Sequence, residues 1–384
     1  MSKILLSFLV VVACCFGASS SASAQDASRI QVSLITCTPG EELYSIFGHS
    51  ALRIIDSNNV TDYIFNYGTF NFDDDGFYLK FIRGKLLYHL SVERTDEFIF
   101  SYMNESRGIT EQVLQLSSLE KINIKNFILH NLEPENKFYQ YDFFLDNCTT
   151  RLRDIINKMK SPSPSLPHVM PATTTYREAI HVYLDKGEQH WSKLGIDLLL
   201  GMRTDKIMSA SEQSFLPDNL MTAVDSCKNQ QLVHQKNAIL KPINTGQASS
   251  IFTPLFCFSL FAGLVILMSL LKNRFGQIFM LCFDNVFFFL IGLLGLLLVL
   301  MWVATDHSMT KDNMNLIWAN PLHLLFAIFF RSKSKWKKWY SLFTCIAMLL
   351  LLLCWRILPQ QLHYSLIPIS LLIGYRAAMR YNQA

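Results

Sequence analysis

Two residues that lie far apart in the chain have the types and settings needed for nucleophilic catalysis. Cys148 follows Asn147 at the point where an extended segment becomes a helix, and His49 follows a glycine where a turn becomes a strand. An imidazole beside a thiol makes a nucleophile that is capable of acyl transfer. The positive end of the helix dipole at Cys148 also favours the thiolate. Each residue alone has an ordinary structural explanation, but the two together favour a catalytic pair.

A β-hairpin predicted around His49 supplies a third polar side chain. Strand-like segments flank a polar turn, and with that turn centred between Ser57 and Asn58, His49 lies opposite Asn66. Directly opposed side chains of antiparallel strands share a face and can interact. We therefore predict Asn66 as the third catalytic residue, which holds the imidazole in its useful tautomer. A register slipped by one residue makes Tyr67 or Phe65 the neighbour instead, and Tyr67 is a candidate for substrate binding.

Strand and helix periodicities predict an α+β domain with an antiparallel sheet and a cysteine-bearing helix. Strand periodicity marks residues 31–37, 49–55 and 60–67, and helical spacing marks residues 148–158. A proline-rich break follows at residues 161–167. The expected parts are a catalytic core at 25–160, a helical extension at 161–222 and a polar linker at 223–250.

The N-terminus has the composition of a secretory signal. Lys3 supplies the positive charge, residues 4–12 supply the apolar stretch, and Ala22-Ser23-Ala24 is a small-residue cleavage site, which makes residues 1–24 a signal peptide. A rival interpretation takes Val11-Val12-Ala13-Cys14 as a lipoprotein cleavage box. Under either interpretation the following domain is exported.

Long apolar segments dominate the last third of the chain and predict an all-α transmembrane domain of five helices at residues 251–376. The five segments are 251–271, 278–303, 316–330, 340–357 and 361–375. Lysine and arginine cluster in alternate loops and after the fifth segment, at Arg376 and Arg380. The positive-inside rule then places the C-terminus in the cytoplasm and the N-terminal domain outside. Because Asp284 and His323 are costly in hydrocarbon, we expect them to face the interior of the bundle or a partner.

Composition and motifs exclude several classes of function. A net charge of +4, without a basic stripe, argues against nucleic-acid binding. The sequence has no CxxC or HExxH pattern, no GxSxG elbow and no phosphate-binding glycine loop, so we expect neither a metal nor a cofactor. The exported region keeps Cys37, Cys148 and Cys227, an odd number, so in an oxidising compartment two of them can pair and leave one free.

The order of histidine first and Asn-Cys later resembles the circularly permuted papain-like enzymes, including the NlpC/P60-related hydrolases and the lecithin:retinol acyltransferase group. The whole chain is similar to the Lnb family, with its N-terminal periplasmic domain and its accompanying transmembrane domain. The matching segments are Thr36–His49, Phe65–Gly68, Asp146–Thr149, Phe283-Asp284, Thr305–His307, Asn313–Asn315 and Pro321.

This resemblance implies a lipoprotein N-acyltransferase in the bacterial inner membrane. Carried over by motif, Cys148 is the nucleophile and His49 is its base. The implied acyl donor is a phospholipid, the intermediate is a thioester on the cysteine, and the acceptor is the α-amine of a diacylated lipoprotein. The family's third catalytic group is not assigned by the motifs, so Asn66 rests on the predicted hairpin.

Three further residues are candidate substrate contacts. Arg151 lies one helical turn beyond Cys148, where it can meet an anionic head group. His307 and Asn315 lie in an outer loop on the same side of the membrane as Cys148, where they can line the route of an acyl chain. An ordinary solvated loop explains them equally well.

Two other functions share features of this sequence. A membrane-anchored cysteine amidase or peptidase acting on cell-wall peptide uses the same pair, although it needs only a tether in place of five spans. A non-catalytic membrane chaperone requires neither residue, and its Cys148 would be inert or crosslinked to another cysteine.

Overall fold

The computed structural model describes residues 27–243, 250–271, 273–328 and 335–383. The predicted signal peptide lies outside the described residues. In chain order, strands β1 to β7 are Ile30–Cys37, His49–Asp56, Thr61–Thr69, Leu87–Arg94, Ile109–Leu114, Phe138–Gln140 and Val233–Leu240. Helices α1 to α8 of the N-terminal domain are Phe77–Ile82, Thr95–Asn104, Ser118–Asn131, Cys148–Met159, Tyr176–Lys186, His190–Leu199, Ala210–Gln213 and Pro217–Asp225. Helices α9 to α13 of the C-terminal region are Pro254–Ser269, Arg274–Val303, Leu322–Ile328, Lys335–Leu353 and Leu366–Gln383.

The N-terminal domain is built on one antiparallel sheet with the strand order β6-β4-β3-β2-β1-β5-β7. Leu34, Leu52 and Phe65 from the three central strands pack in one core with Leu152 and Ile156 of α4. The burial of these apolar side chains fixes α4 against the sheet, because a one-residue slip of a strand would turn its apolar set away from the core. The predicted α+β domain with an antiparallel sheet and a cysteine-bearing helix is confirmed.

The predicted linker at 223–250 is wrong for its first half. Helix α8 extends to Asp225, and residues Val233–Leu240 form β7, which pairs with β5 at the edge of the sheet. Most side chains of β7 are exposed or half-buried. An edge strand needs few apolar residues, and polar residues protect it from pairing with other chains. Its sequence therefore resembles a linker.

The C-terminal region consists of apolar helices. Two of them, Arg274–Val303 and Lys335–Leu353, are long and apolar enough to cross a membrane, and Pro254–Ser269 is a shorter apolar helix. The segment predicted at 316–330 contains only a short helix before the undescribed residues, because Pro321 lies directly before α11 and separates it from the turn at Met314–Ile317.

Asp284 and His323 are buried inside this helical region, as expected. The carboxylate of Asp284 accepts hydrogen bonds from Arg376 at 2.7 and 2.9 Å and from Arg380 at 2.6 Å. The hydroxyl of Tyr340 donates to Nδ1 of His323 at 2.9 Å. Arg376 and Arg380 were predicted to follow the fifth segment, on the cytoplasmic side. They lie within α13 instead, because a buried carboxylate requires cationic partners.

The loop after α10 attaches the membrane region to the N-terminal domain by capping a helix. The side-chain amides of Asn313, Asn315 and Gln360 donate to backbone carbonyls of residues 197–200 at the C-terminus of α6, at distances of 2.8 to 3.3 Å. The last carbonyls of a helix have no partner within the helix, so these side chains satisfy them. Asn315 is fully buried by these contacts. The structure gives it a docking role in place of the predicted lining of an acyl-chain route.

We expect Asn313→Ala with Asn315→Ala to loosen this attachment. Each buried carbonyl left without a donor costs about 1–3 kcal/mol, so the double variant should unfold at a lower temperature in detergent. Its α6 should also become accessible to limited proteolysis. Asn104→Ala is the control, because Asn104 is exposed at the end of α2. Equal melting temperatures for the double variant and the control would show that the capping bonds do not hold the two parts together.

Candidate active site

Cys148 is placed by a well-formed helix start. Asn147 is the N-cap of α4, and its side chain accepts hydrogen bonds from the amides of Thr149 and Thr150, both at 2.8 Å. The Thr150 hydroxyl in turn binds the Asn147 amide at 2.8 Å. This reciprocal cap engages the amides of Asn147, Thr149 and Thr150, and the Cys148 amide between them takes no part in it. The half-buried thiol thus lies at the positive end of the helix.

His49 is placed by a tight entry into β2. Gly48 has a φ of 78°, and a Cβ on it would come within 2.6 Å of the carbonyl oxygen of Cys37. Only glycine combines this left-handed backbone with such a close approach to β1. The turn therefore brings the strand directly alongside Cys37, which is paired with His49 in the sheet.

The side chains of Cys148 and His49 lie close enough together to shift each other's pKa. Burial alone would raise the pKa of the thiol, but the charge of His49 and hydrogen bonds from His49, the Ser50 amide and Thr149 lower it to about 7. Burial would lower the pKa of the imidazole, yet the charge and hydrogen bond of Cys148 raise it. A thiolate–imidazolium pair is therefore well populated near neutral pH.

Asn66 contacts the imidazole, although the predicted register is wrong. Strands β2 and β3 pair Leu52 with Phe65, which centres the turn one residue later than expected. A shift of the turn centre by one moves every partner by two, so Asn66 becomes a diagonal neighbour of His49 on the same face. The Oδ1 atom of Asn66 lies 3.1 Å from Nε2 of His49 and accepts a hydrogen bond from it. This bond commits Nε2 as a donor and leaves Nδ1 as the nitrogen available to the thiol.

Glu93 extends this chain of contacts and was missed by the sequence analysis. The Asn66 Nδ2 atom donates to Oε1 of Glu93 at 2.6 Å, which fixes the orientation of the amide. Burial raises the pKa of Glu93, while its bond to Asn66 and the charge of His49 lower it. Glu93 lies on β4, which pairs with β3 across an irregularity after Asn66. The sequence shows Glu93 as a carboxylate within an alternating strand pattern. No tight turn joins β4 to β3, so the sequence did not show that these two strands pair.

Tyr139 brings a hydroxyl without a hydrogen-bond partner among the described residues to the same side of Gly68 as Cys148, and it was also missed. The hydroxyl is buried and makes no hydrogen bond within the part of the chain that the structure describes. It lies 4.0 Å from the point that a Cβ of Gly68 would occupy, and the Cβ of Cys148 lies 3.8 Å from the same point. Burial raises the pKa of Tyr139, so the phenol is a proton donor at neutral pH. Tyr139 lies in a three-residue strand, and nothing in the surrounding sequence indicated that it lies near Cys148.

The predicted substrate contacts have partners within the protein. Tyr67 is buried, and its hydroxyl accepts a hydrogen bond from Asn131 at 2.6 Å. The guanidinium of Arg151 binds Asp146 at 2.6 and 2.8 Å and lies 3.5 Å above the ring of Tyr139. Arg151 therefore borders the site with its charge paired. The parts of Tyr67 and Arg151 in substrate binding stay predictions.

His307 contacts the N-terminal domain directly. Its Nε2 atom lies 3.1 Å from the backbone oxygens of Phe81 and of Ile82 and donates to them. His307 thus joins the loop after α10 to helix α1. Its predicted contact with an acyl chain stays a prediction.

The three cysteines of the N-terminal domain differ in burial, with Cys37 buried and the other two half-buried. Cys37, Cys148 and Cys227 are all free, so the pairing considered for two of them is not formed. Burial raises the pKa of Cys37 to about 12, which keeps that thiol protonated. Among the described residues no group of three or more histidine, cysteine, aspartate or glutamate side chains could hold a metal ion.

Two family models match the chain. Residues 20–181 match the Lnb N-terminal periplasmic domain, and residues 246–384 match the Lnb transmembrane domain. The chain belongs to the Lnb family. Neither the curated proteins nor the solved structures give a match. Membership in the Lnb family identifies a membrane protein of the lipoprotein N-acyltransferase type, and a periplasmic domain joined to a transmembrane domain fits the inner membrane.

The thiolate–imidazolium pair predicts the pH dependence of alkylation at Cys148. The rate with iodoacetamide, followed on the Cys148 peptide by mass spectrometry, should reach half its maximum near pH 7. In His49→Ala the positive partner is lost while burial remains, so the midpoint should move upward and the rate at pH 7 should fall about tenfold or more.

His130→Ala is the control, because His130 is exposed on α3. Its Cys148 should titrate as in the wild type. An unchanged midpoint in His49→Ala would mean that the imidazole does not activate the thiol.

Proposed function

We propose that this protein transfers a fatty acyl chain from a phospholipid to the α-amine of a diacylglyceryl-cysteine lipoprotein, through a thioester on Cys148. The observation that carries the proposal is the activated pair of Cys148 and His49, on a domain that is hydrogen-bonded to the segments connecting the apolar helices. The strand-borne histidine before a helix-borne cysteine also fits the permuted papain-like arrangement.

The first half-reaction acylates the cysteine. Nδ1 of His49 holds the thiol proton while the sulfur of Cys148 attacks the ester carbonyl of the phospholipid. The carbonyl oxygen becomes negative in the tetrahedral intermediate, and the Cys148 amide and the Tyr139 hydroxyl are the donors available to it. The intermediate collapses when the carbon–oxygen bond breaks. His49 then returns the proton to the glycerol oxygen, which leaves as a lysophospholipid.

The second half-reaction transfers the chain to nitrogen. The neutral α-amine of the lipoprotein attacks the thioester carbonyl, and His49 accepts a proton from that amine. The carbon–sulfur bond then breaks and restores the thiolate, while the product carries an amide. The amide is more stable than the thioester, so the step needs neither a nucleotide nor a metal.

Asn66 and Glu93 act as positioning residues. The contact of Asn66 with Nε2 selects the tautomer that presents Nδ1 to the thiol, and Glu93 fixes the amide that makes this contact. This arrangement keeps the imidazole aligned in both half-reactions.

The proposed topology has five spans, with the N-terminal domain in the periplasm and the C-terminus in the cytoplasm. The loop after α10 contacts the N-terminal domain, so Val303 marks the domain side of the membrane. Gln360, just before α13, also contacts that domain, whereas Arg376 near the end of α13 pairs with Asp284 in the first half of α10. These contacts support opposite sides for the domain and the C-terminus.

A cell-wall amidase would use the same pair, but it has no need of the bonds that join its domain to the membrane helices. The lowered pKa of Cys148 argues against a non-catalytic chaperone, because an inert thiol needs no activation.

Incubation of the purified protein with phospholipid vesicles should leave a fatty acyl adduct on the Cys148 peptide that hydroxylamine removes. Cys148→Ser should lack the thioester. His49→Ala should form it at least about 100-fold more slowly, because the general base is lost. Intact and peptide mass spectrometry detect the adduct. A reactive Cys148 that never becomes acylated would contradict the proposal and favour the hydrolase.

Tyr139→Phe should slow acylation about 100-fold, because it removes one donor to the oxyanion. Its alkylation profile should keep a midpoint near pH 7, because the phenol does not activate the thiol. Tyr63→Phe is the matched control, since Tyr63 is exposed near the end of the β2–β3 hairpin that lies away from His49. Equal acylation rates in both variants would remove Tyr139 from the oxyanion site.

A further inference from the structure

Helix α1 and its flanking residues expose an unusual amount of apolar surface. The exposed apolar side chains between positions 72 and 87, each at least half exposed, define what we call the 72–87 surface: Phe72, Tyr78, Leu79, Phe81, Ile82 and Leu87. A contiguous apolar patch of this kind on a folded domain marks an interaction site. Phe77 at the start of α1 is buried and stacks on Phe81, whereas residues 78–82 of the helix are all exposed.

The 72–87 surface lies where a membrane helix leaves the bilayer. The amide of Asp306 donates to the carbonyl of Arg83 at 2.9 Å, and His307 binds the carbonyls of Phe81 and Ile82. Helix α10 ends at Val303, three positions before Asp306. A surface bonded this close to the end of a span must lie near the level of the lipid head groups.

The backbone of Gly84 packs closely against His307 in this contact. Gly84 has a φ of 67°, and a Cβ on it would lie 3.1 Å from the backbone nitrogen of His307 and 3.3 Å from its ring. Any other residue would be strained there and would crowd the histidine. The position of α1 at the membrane region is therefore fixed by packing as well as by hydrogen bonds.

Charges around the surface suit a lipid bilayer. Lys80 and Arg83 are exposed among the apolar residues, and their long side chains can bring cationic ends to lipid phosphates. Lys85 is also exposed, and its ammonium lies 4.0 Å from the carboxylate of Asp306. The acidic residues 73–75 precede the N-terminus of α1, where negative charge favours the helix dipole. Apolar residues interleaved with lysine and arginine are typical of elements that lie in a membrane interface.

A row of aromatic rings continues from the 72–87 surface to the thiol. Ring centroids are 5.0 Å apart between Phe72 and Phe70, 5.2 Å between Phe70 and Tyr88, and 4.3 Å between Tyr88 and Tyr141. Tyr141 lies 3.5 Å from the point where a Cβ of Gly68 would be, and the Cys148 Cβ lies 3.8 Å from that point. A cavity of about 300 Å³ beside Tyr141, between the two parts of the chain, is lined by Gly84, Gln140, Tyr141, Asp142, Asp306 and His307.

We propose that the 72–87 surface inserts into the head-group region of the leaflet on the domain side and that the aromatic row leads a phospholipid acyl chain from there to Cys148. The occupant of the surface is the phospholipid bilayer. The insertion stands on the geometry alone, whereas delivery of the chain to the thiol rests on the proposed acyltransferase function.

Photo-crosslinking tests the insertion directly. Benzoylphenylalanine at position 79 should form phospholipid adducts in vesicles of phosphatidylethanolamine and phosphatidylglycerol, detected by mass spectrometry. The same probe at position 60 should not, because Val60 is exposed at the end of the β2–β3 hairpin away from His49. A probe at 79 that gives no lipid adduct, or that reacts only with an added lipopeptide or a second protein, would overturn the proposal.

A charge-bearing variant tests the delivery. Leu79→Asp with Ile82→Asp should lower acylation of Cys148 by vesicle phospholipid about tenfold or more, because two carboxylates oppose insertion. Alkylation of Cys148 by iodoacetamide should not change. Val60→Asp is the matched control and should behave as the wild type. Unchanged acylation in the double variant would overturn the delivery.

The two tests separate the surface from the chemistry. If the wild type never acylates Cys148, the proposed function fails, and the lipid adduct at position 79 still decides whether the surface inserts.

Discussion

The ion pair between Cys148 and His49 is the interaction on which the rest of the N-terminal domain depends. A buried thiolate is unfavourable unless a positive partner lies beside it. The domain supplies that partner by bringing the start of α4 to the start of β2, and the two elements reach that point by different means. Asn147 sets the first through a reciprocal cap, and Gly48 sets the second through a turn that only glycine can adopt. The core between α4 and the central strands then holds both ends in place.

Hydrogen bonds fix the N-terminal domain, and with it this site, on the membrane region. Buried carbonyls at the end of α6 are satisfied by side chains from the loop after α10 and from Gln360, so separation of the two parts would leave polar groups unpaired. Inside the helical region Asp284 is held by Arg376 and Arg380, which ties α10 to α13 away from the domain. Polar groups thus provide the specific contacts in a region where apolar surface faces lipid and gives little preference for one arrangement.

Local signals predicted that Cys148 and His49 form a pair, and long-range pairing explains which neighbours of that pair were not predicted. Cys148 and His49 each lie at the start of an element, which the sequence marks with a cap and a glycine. Asn66 was found despite a wrong register, because strand periodicity of two keeps the same face after a shift of two. Glu93 and Tyr139 come from strands whose partners are distant in sequence, so nothing local places them near the thiol. The edge strand β7 and the ion pairs of Asp284 depend on tertiary contacts in the same way.

In the proposed reaction one acyl chain moves from a phospholipid to the sulfur of Cys148 and then to the α-amine nitrogen of the lipoprotein. The most direct measurement isolates the protein after incubation with phospholipid carrying a deuterated acyl chain, removes the lipid, and mixes the acylated protein with a synthetic diacylated lipopeptide in a single turnover. The deuterated chain should leave Cys148 and appear as an amide on the lipopeptide in equal amount and at the same rate. A thioester that persists, or that yields free fatty acid while the lipopeptide stays unmodified, would contradict the proposed reaction.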